Sequence, residues 1–158
     1  MTNRQTALRE QLEKSRRELL QVLTGLSEAE WETAVYTEGT TWQVIDLLRH
    51  LTDAENGMIT LMARIRDGSD GVPEDFDLDR WNASRIKKIQ AKTTIELFTD
   101  MAQNRANLLA FMDSLGEADW AKKGRHGSGR IMSLQEICQI IADHEQMHTR
   151  DIRLALGE

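Results

Sequence analysis

The sequence predicts an all-α protein, a four-helix bundle with one long crossover connection. Three observations point there. Apolar residues recur at steps of three and four over four long stretches, few segments alternate as strands do, and one proline, Pro73, interrupts 158 residues. A chain of this length, 40% hydrophobic and 29% charged, suits one domain spanning residues 1–158.

The first helix is expected from about Asn3 to Gly25, with Leu8, Leu12, Leu19, Leu20 and Leu23 on or near one stripe. Ser27 and Glu30 follow at capping-box spacing. The second helix is expected to begin after Thr40 or Thr41 and to run to about Asp67, where Gly68 and Gly71 end it. Its stripe carries Val44, Leu47, Leu48, Leu51, Met58, Leu61, Met62 and Ile65. Residues 68–80, GSDGVPEDFDLDR, form the crossover, long enough to span the bundle. Trp81 to Ile89 starts a helical segment that resumes after Thr93, and Ile95 to Leu115 is the third long helix. The last runs from Leu134 to Leu156, with Ser133 and Glu136 as a second capping box.

A faint repeat supports two helix-loop-helix halves: LSEAEW at 26–31 returns as LGEADW at 115–120. Aligning the expected caps Thr41 and Ser133 sets Ile45 on Ile137 and Leu48 on Ile140, with a gap of three residues after the tryptophans. The histidines do not superpose in that register, so the repeat speaks to architecture and not to chemistry.

A net charge of −6 argues against a surface that attracts nucleic acid. The polar N-terminus has no apolar signal-like region, and no stretch approaches 18 apolar residues, so the expected setting is soluble and cytoplasmic, away from membrane. Cys138 is the sole cysteine, which leaves no internal disulfide and no cysteine zinc site, and it reads as an inert core thiol. The seven methionines follow the apolar periodicity and read as core filler.

ADHEQMHTRD, residues 142–151, carries the chemistry. His144 and His148 are one turn apart, near the middle of the apolar stripe of the last helix. Two stacked imidazoles there need either several hydrogen-bond partners or a shared metal ion. Glu145 between them invites comparison with the zinc proteases. Those proteins take further ligands from downstream, whereas only ten residues follow His148 here, and none is a His or Glu except Glu158. Upstream, His50 lies on the shoulder of the second helix's stripe, where bundle packing can bring it against the last helix. His50, His144 and His148 would then make a three-histidine site with positions left open for water or substrate. A metal site is the expectation and a protease is not.

TWQVIDLLRHL, FDLDRWN and SLQEICQIIADHEQMH together resemble the DinB-like superfamily of small metal-binding four-helix bundles, over nearly the whole chain. The resemblance implies that His50, His144 and His148 are ligands for a divalent ion, zinc or nickel. It brings relatives that are bacillithiol or mycothiol transferases, relatives that are mycothiol-dependent isomerases, and many without an assigned activity. Trp81 and Asn82 match its aromatic and amide positions and could border the pocket; the plainer alternative is a helix start packed over the bundle end.

Glu145 could orient a ligand histidine, act as a general base, or bond a neighbouring helix. Asp143 and Asp151 read as solvated or flanking carboxylates. His126 reads as a residue of a surface loop that could fold over the site, and Arg125 and Arg130 in that loop could hold carboxylates of a thiol cofactor. The leading expectation is a metal-dependent enzyme of thiol-transfer type acting on a small molecule. A small hydrolase and a non-catalytic, stress-related binding bundle are the alternatives. A homodimer is also expected, because Met101, Leu108, Leu109, Phe111 and Met112 span more of the third helix than one core stripe needs.

Overall fold

The computed structural model describes residues 3–158, and four long helices dominate it: α1 (Asn3–Leu23), α3 (Val44–Arg66), α5 (Thr94–Ser114) and α6 (Leu134–Ala155). Shorter elements sit between them. Helix α2 (Glu28–Trp31) precedes a hairpin of β1 (Ala34–Tyr36) and β2 (Trp42–Gln43), helix α4 (Leu78–Ile89) lies within the crossover, and a 3₁₀ turn (Glu117–Ala121) precedes a second hairpin of β3 (Lys123–Arg125) and β4 (Ile131–Ser133). The two hairpins escape sequence reading because strands of two or three residues are too short to show alternation.

Both capping boxes form, Ser27 with Glu30 and Ser133 with Glu136. Helix α3 departs from expectation. Neither Thr40 nor Thr41 caps it, because Trp42 and Gln43 are taken by the hairpin and the helix starts at Val44, with Asp46 accepting from the Gln43 N–H at 2.9 Å. This also corrects the repeat. Trp31 and Trp120 are 89 positions apart, and the observed caps Gln43 and Ser133 are 90 apart, so the halves align with a gap of one residue. The equivalent bonds agree: Val44 N–H donates to Thr33 O and Leu134 N–H to Lys122 O, each at 3.0 Å. In that register Leu47 falls on Ile137 and His50 on Ile140, so the ligand candidate of one half faces an apolar residue in the other.

Gly68, at φ +107, lies just past the C-cap of α3, as expected. Gly71 has a different task. At φ +95 it bridges to Arg125, where an added Cβ would come within 2.3 Å of the Arg125 backbone nitrogen, so only glycine lets the crossover lie against β3.

Helix α1 lies along α6, and both α6 and α5 lie along α3. The remaining pair, α1 and α5, is joined by arginines reaching main-chain carbonyls: Arg16 to Met101 O at 3.2 Å, Arg105 to Leu12 O at 2.8 Å and Arg9 to Leu109 O at 3.4 Å. The buried apolar residues form two clusters. One includes Leu12, Met62, Leu108 and Ile141, the other Leu19, Leu51, Met101 and Ile152.

Between these levels every long helix contributes a polar residue: Ser15 and Arg16, Glu55, Arg105 and Glu145. The two clusters also explain the breadth of the apolar surface on α5. Met101, Leu108, Phe111 and Met112 are buried within the chain's own core, because one helix serves both clusters, and only Leu109 of that set keeps partial exposure. They supply no second covered face.

Candidate metal centre

Helices α3 and α6 bring His50 to the pair on α6 although more than ninety positions separate them. His144 Nε2 lies 2.9 Å from His50 Nε2 and 3.0 Å from His148 Nε2. One ligating nitrogen from each ring lies within 4.8 Å of the others. An ion held at about 2.1 Å by three nitrogens spaces them roughly 3.0–3.4 Å apart, so the donor set fits one divalent ion. Among the described residues no carboxylate or thiolate joins this group.

Burial keeps these rings neutral. His50 is pushed down to about 2, first by desolvation and then by its two histidine neighbours. Desolvation likewise takes His148 to about 3 and His144 to about 4. Neutral imidazoles offer lone pairs at neutral pH without first releasing protons.

A stability consequence follows for the metal-free protein. Each folded-state value lies below the ordinary 6.5, so as pH falls below about 6.5 the unfolded chain takes up protons that the folded chain refuses. Stability is full above that window and is lost on acidification, at about 1.4 kcal/mol per pH unit for each histidine. Urea unfolding in the presence of a chelator should show a loss of at least about 2 kcal/mol between pH 7 and pH 5. A flat profile would mean that the folded rings take up protons as readily as those of the unfolded chain.

The first hairpin covers the site. Tyr36 and Trp42 are partners across its two strands and therefore share a face. The Trp42 ring meets His50 edge-on at 5.1 Å, and the Tyr36 ring meets His148 at 5.9 Å. The Tyr36 hydroxyl lies 2.8 Å from His148 Nδ1 and donates a short hydrogen bond to Asp151. Burial, then the bond to Asp151, raises the Tyr36 phenol above its ordinary value. Sequence reading missed Tyr36, which sits on a strand too short to detect. It left Asp151 as a flanking carboxylate; the one available signal was its position three residues after His148.

Glu145 occupies a different environment. Its carboxylate accepts from Ser15 Oγ at 2.8 Å, Arg16 Nε at 3.1 Å and Arg105 Nη2 at 3.2 Å. It bonds neighbouring helices, with both oxygens engaged. Asp143 is exposed and accepts from Gln139 at 2.9 Å. Cys138 is buried and its thiol is pushed up to about 12 by desolvation, as befits an inert core residue.

The crossover residues bind one another. Trp81, 49% exposed, meets the tilted ring of Phe76 at 5.8 Å and lies beneath the Arg85 guanidinium at 5.7 Å, while Arg85 makes a two-pronged pair with Asp53. Asn82 is half-buried on the same helix. His126 is half-buried in the β3–β4 turn, with Nδ1 accepting from the Ser128 N–H at 3.1 Å. Arg125 binds Gly129 O and Glu74, and Arg130 is exposed.

The sequence pattern of the DinB superfamily matches residues 11–152. No curated protein sequence matches the chain. Among solved structures, YfiT from Bacillus subtilis, described as a probable metal-dependent hydrolase with an unusual four-helix bundle topology, is 16% identical with a TM-score of 0.76, over 98% of this chain and 87% of that one. A mycothiol-dependent maleylpyruvate isomerase is 18% identical with a TM-score of 0.71; the match covers 92% of this chain but only 60% of the isomerase. A protein of Escherichia coli UTI89 is 12% identical with a TM-score of 0.71, over 94% of this chain and 90% of that one. At such identities these three likenesses are likenesses of fold. The match of the family pattern to nearly the whole chain decides the family: the protein belongs to the DinB superfamily.

Proposed function

We propose that the protein is a divalent-metal enzyme of thiol-transfer type, with zinc or nickel held by His50, His144 and His148. The observation that carries this reading is the convergence of three neutral Nε2 donors with no carboxylate among them. Structural zinc sites close their coordination with four protein ligands, whereas a three-ligand set leaves room for a reactant. When bound, a divalent ion supplies positive charge that favours the thiolate form of an entering thiol near neutral pH.

The chain's own residues hold and shield this site. Trp42 and Tyr36 cover two of the rings and restrict water. Glu145, with both oxygens engaged by Ser15, Arg16 and Arg105, braces the helix that carries two of the histidines rather than serving as the base. Thiol transfer needs no such base, because the proton of the entering thiol can leave to solvent. The likeness in fold to a mycothiol-dependent isomerase supports a low-molecular-weight thiol as co-substrate.

The test is conjugation of bacillithiol, mycothiol, glutathione or coenzyme A to a chlorobimane by the metal-loaded protein. Acceleration with at least one thiol, abolished in His148→Ala, is the expected result. Ester or amide hydrolysis in its place would assign the small hydrolase, and neither activity would assign a non-catalytic binding bundle.

A further inference from the structure

We propose that Tyr36 and Asp151 form a positioning relay that fixes the tautomer of His148. The Tyr36 hydroxyl has one proton and gives it to Asp151, a carboxylate that can only accept. The contact of 2.8 Å between the Tyr36 oxygen and His148 Nδ1 therefore requires the imidazole to be the donor. With its proton on Nδ1, His148 presents a bare lone pair at Nε2, the atom 3.0 Å from His144 Nε2. Polar partners behind a ligand imidazole set its tautomer and orientation in this way, and losing them costs about 10–100-fold in metal affinity. The relay ties the first hairpin to the last helix: Tyr36 on β1 fixes which nitrogen of a ring on α6 is free. This inference rests on the metal-binding reading above, but the tautomer can be read without any ion.

Nitrogen-15 NMR of the metal-free protein at neutral pH should show His148 protonated at Nδ1. Asp151→Ala frees the Tyr36 proton to turn toward Nδ1, so His148 should switch to the Nε2–H form, and zinc affinity should fall about 10–100-fold. Tyr36→Phe removes the acceptor, and should give a mixture of tautomers and a similar loss. Because the two residues act as one unit, the double variant should bind zinc no more weakly than Asp151→Ala alone. An Nε2–H tautomer in the unaltered protein, or zinc affinity unchanged in both single variants with helicity retained, would overturn the relay. An unaltered protein with the Nδ1–H tautomer but no zinc binding would instead overturn the metal reading and leave the tautomer assignment standing.

A separate observation concerns the seam between α1 and α5, which holds a groove of about 900 Å³. Its long wall is one stripe of α1 from Arg9 to Thr24, about 22 Å at 1.5 Å per residue, with Leu109 of α5 on the other side. That length suits a helix. Leu20 on this wall is 37% exposed. Glu13 and Arg17, one turn apart on the same wall, make no ion pair with any described residue. We infer that the groove receives α1 of a second copy of this chain in a two-fold, antiparallel contact. Antiparallel helices related by a two-fold axis between these residues set Glu13 against Arg17 of the partner subunit, and the pairing occurs twice.

Sedimentation should then show a dimer, weakened at least about tenfold by Glu13→Arg or by Arg17→Glu, since each places like charges together at both ends. The double reversal Glu13→Arg/Arg17→Glu should restore it. A monomeric unaltered protein, a dimer indifferent to the single reversals, or a double reversal that fails to restore association would overturn this interface.

Discussion

Arg105→Ala is expected to destabilise the protein by about 3–5 kcal/mol, because it leaves two buried carboxylates, Glu55 and Glu145, with Arg16 as their one remaining cation. The guanidinium grips Glu55 with two nitrogens, Nε at 3.1 Å and Nη2 at 2.9 Å, reaches Glu145 at 3.2 Å and donates to Leu12 O at 2.8 Å. Burial acts to lower its proton affinity, yet the bonds and charges of Glu55 and Glu145 more than offset this and hold it above the ordinary arginine value. Arg16 cannot substitute, since it already spans Glu55 and Glu145 from the other side and binds Met101 O. Urea unfolding at pH 7 measures the loss. Arg105→Lys keeps the charge but not the fork, and should fall between the unaltered protein and Arg105→Ala. A loss under about 1 kcal/mol in Arg105→Ala would show that water or a rearranged Arg16 rescues the carboxylates.

The second large effect is expected at the histidines. Protein purified without a histidine tag should carry one divalent ion per chain, and His50→Ala and His148→Ala should each lose it. Two remaining imidazoles cannot hold the ion against a competing chelator. Each variant should keep its helicity, since most of the bundle's stability comes from burying its apolar stripes. Metal analysis and circular dichroism on the same samples separate the two outcomes. A variant that loses helix as well as metal would make the ion a structural element of the fold. Full retention of metal in His50→Ala would remove α3 from the site.

What was legible in the sequence has a simple physical basis. Periodicity along a helix fixes how each residue is rotated about its own axis, so the apolar stripes, the capping boxes at Ser27 and Ser133 and the inward aim of His144 and His148 could be read locally. His50 was readable because one lone histidine stood on the shoulder of another stripe.

Which neighbour a given direction meets is decided by tertiary structure. His144 and Glu145 are adjacent in sequence and about 100° apart on α6; that rotation turns one toward α3 and the other toward α1 and α5, into an ion cluster with Arg16 and Arg105. The same reason bears on α5, where Met101, Leu108, Phe111 and Met112 are spread over two core clusters of the chain itself. Tyr36, Asp151 and the two hairpins stayed hidden because their roles come from contacts across more than a hundred positions, or from strands shorter than any period. The sequence by itself determined the four helices and the three imidazoles. Only packing decided which side chains stand behind those imidazoles, because a side chain's direction is local and its partner is not.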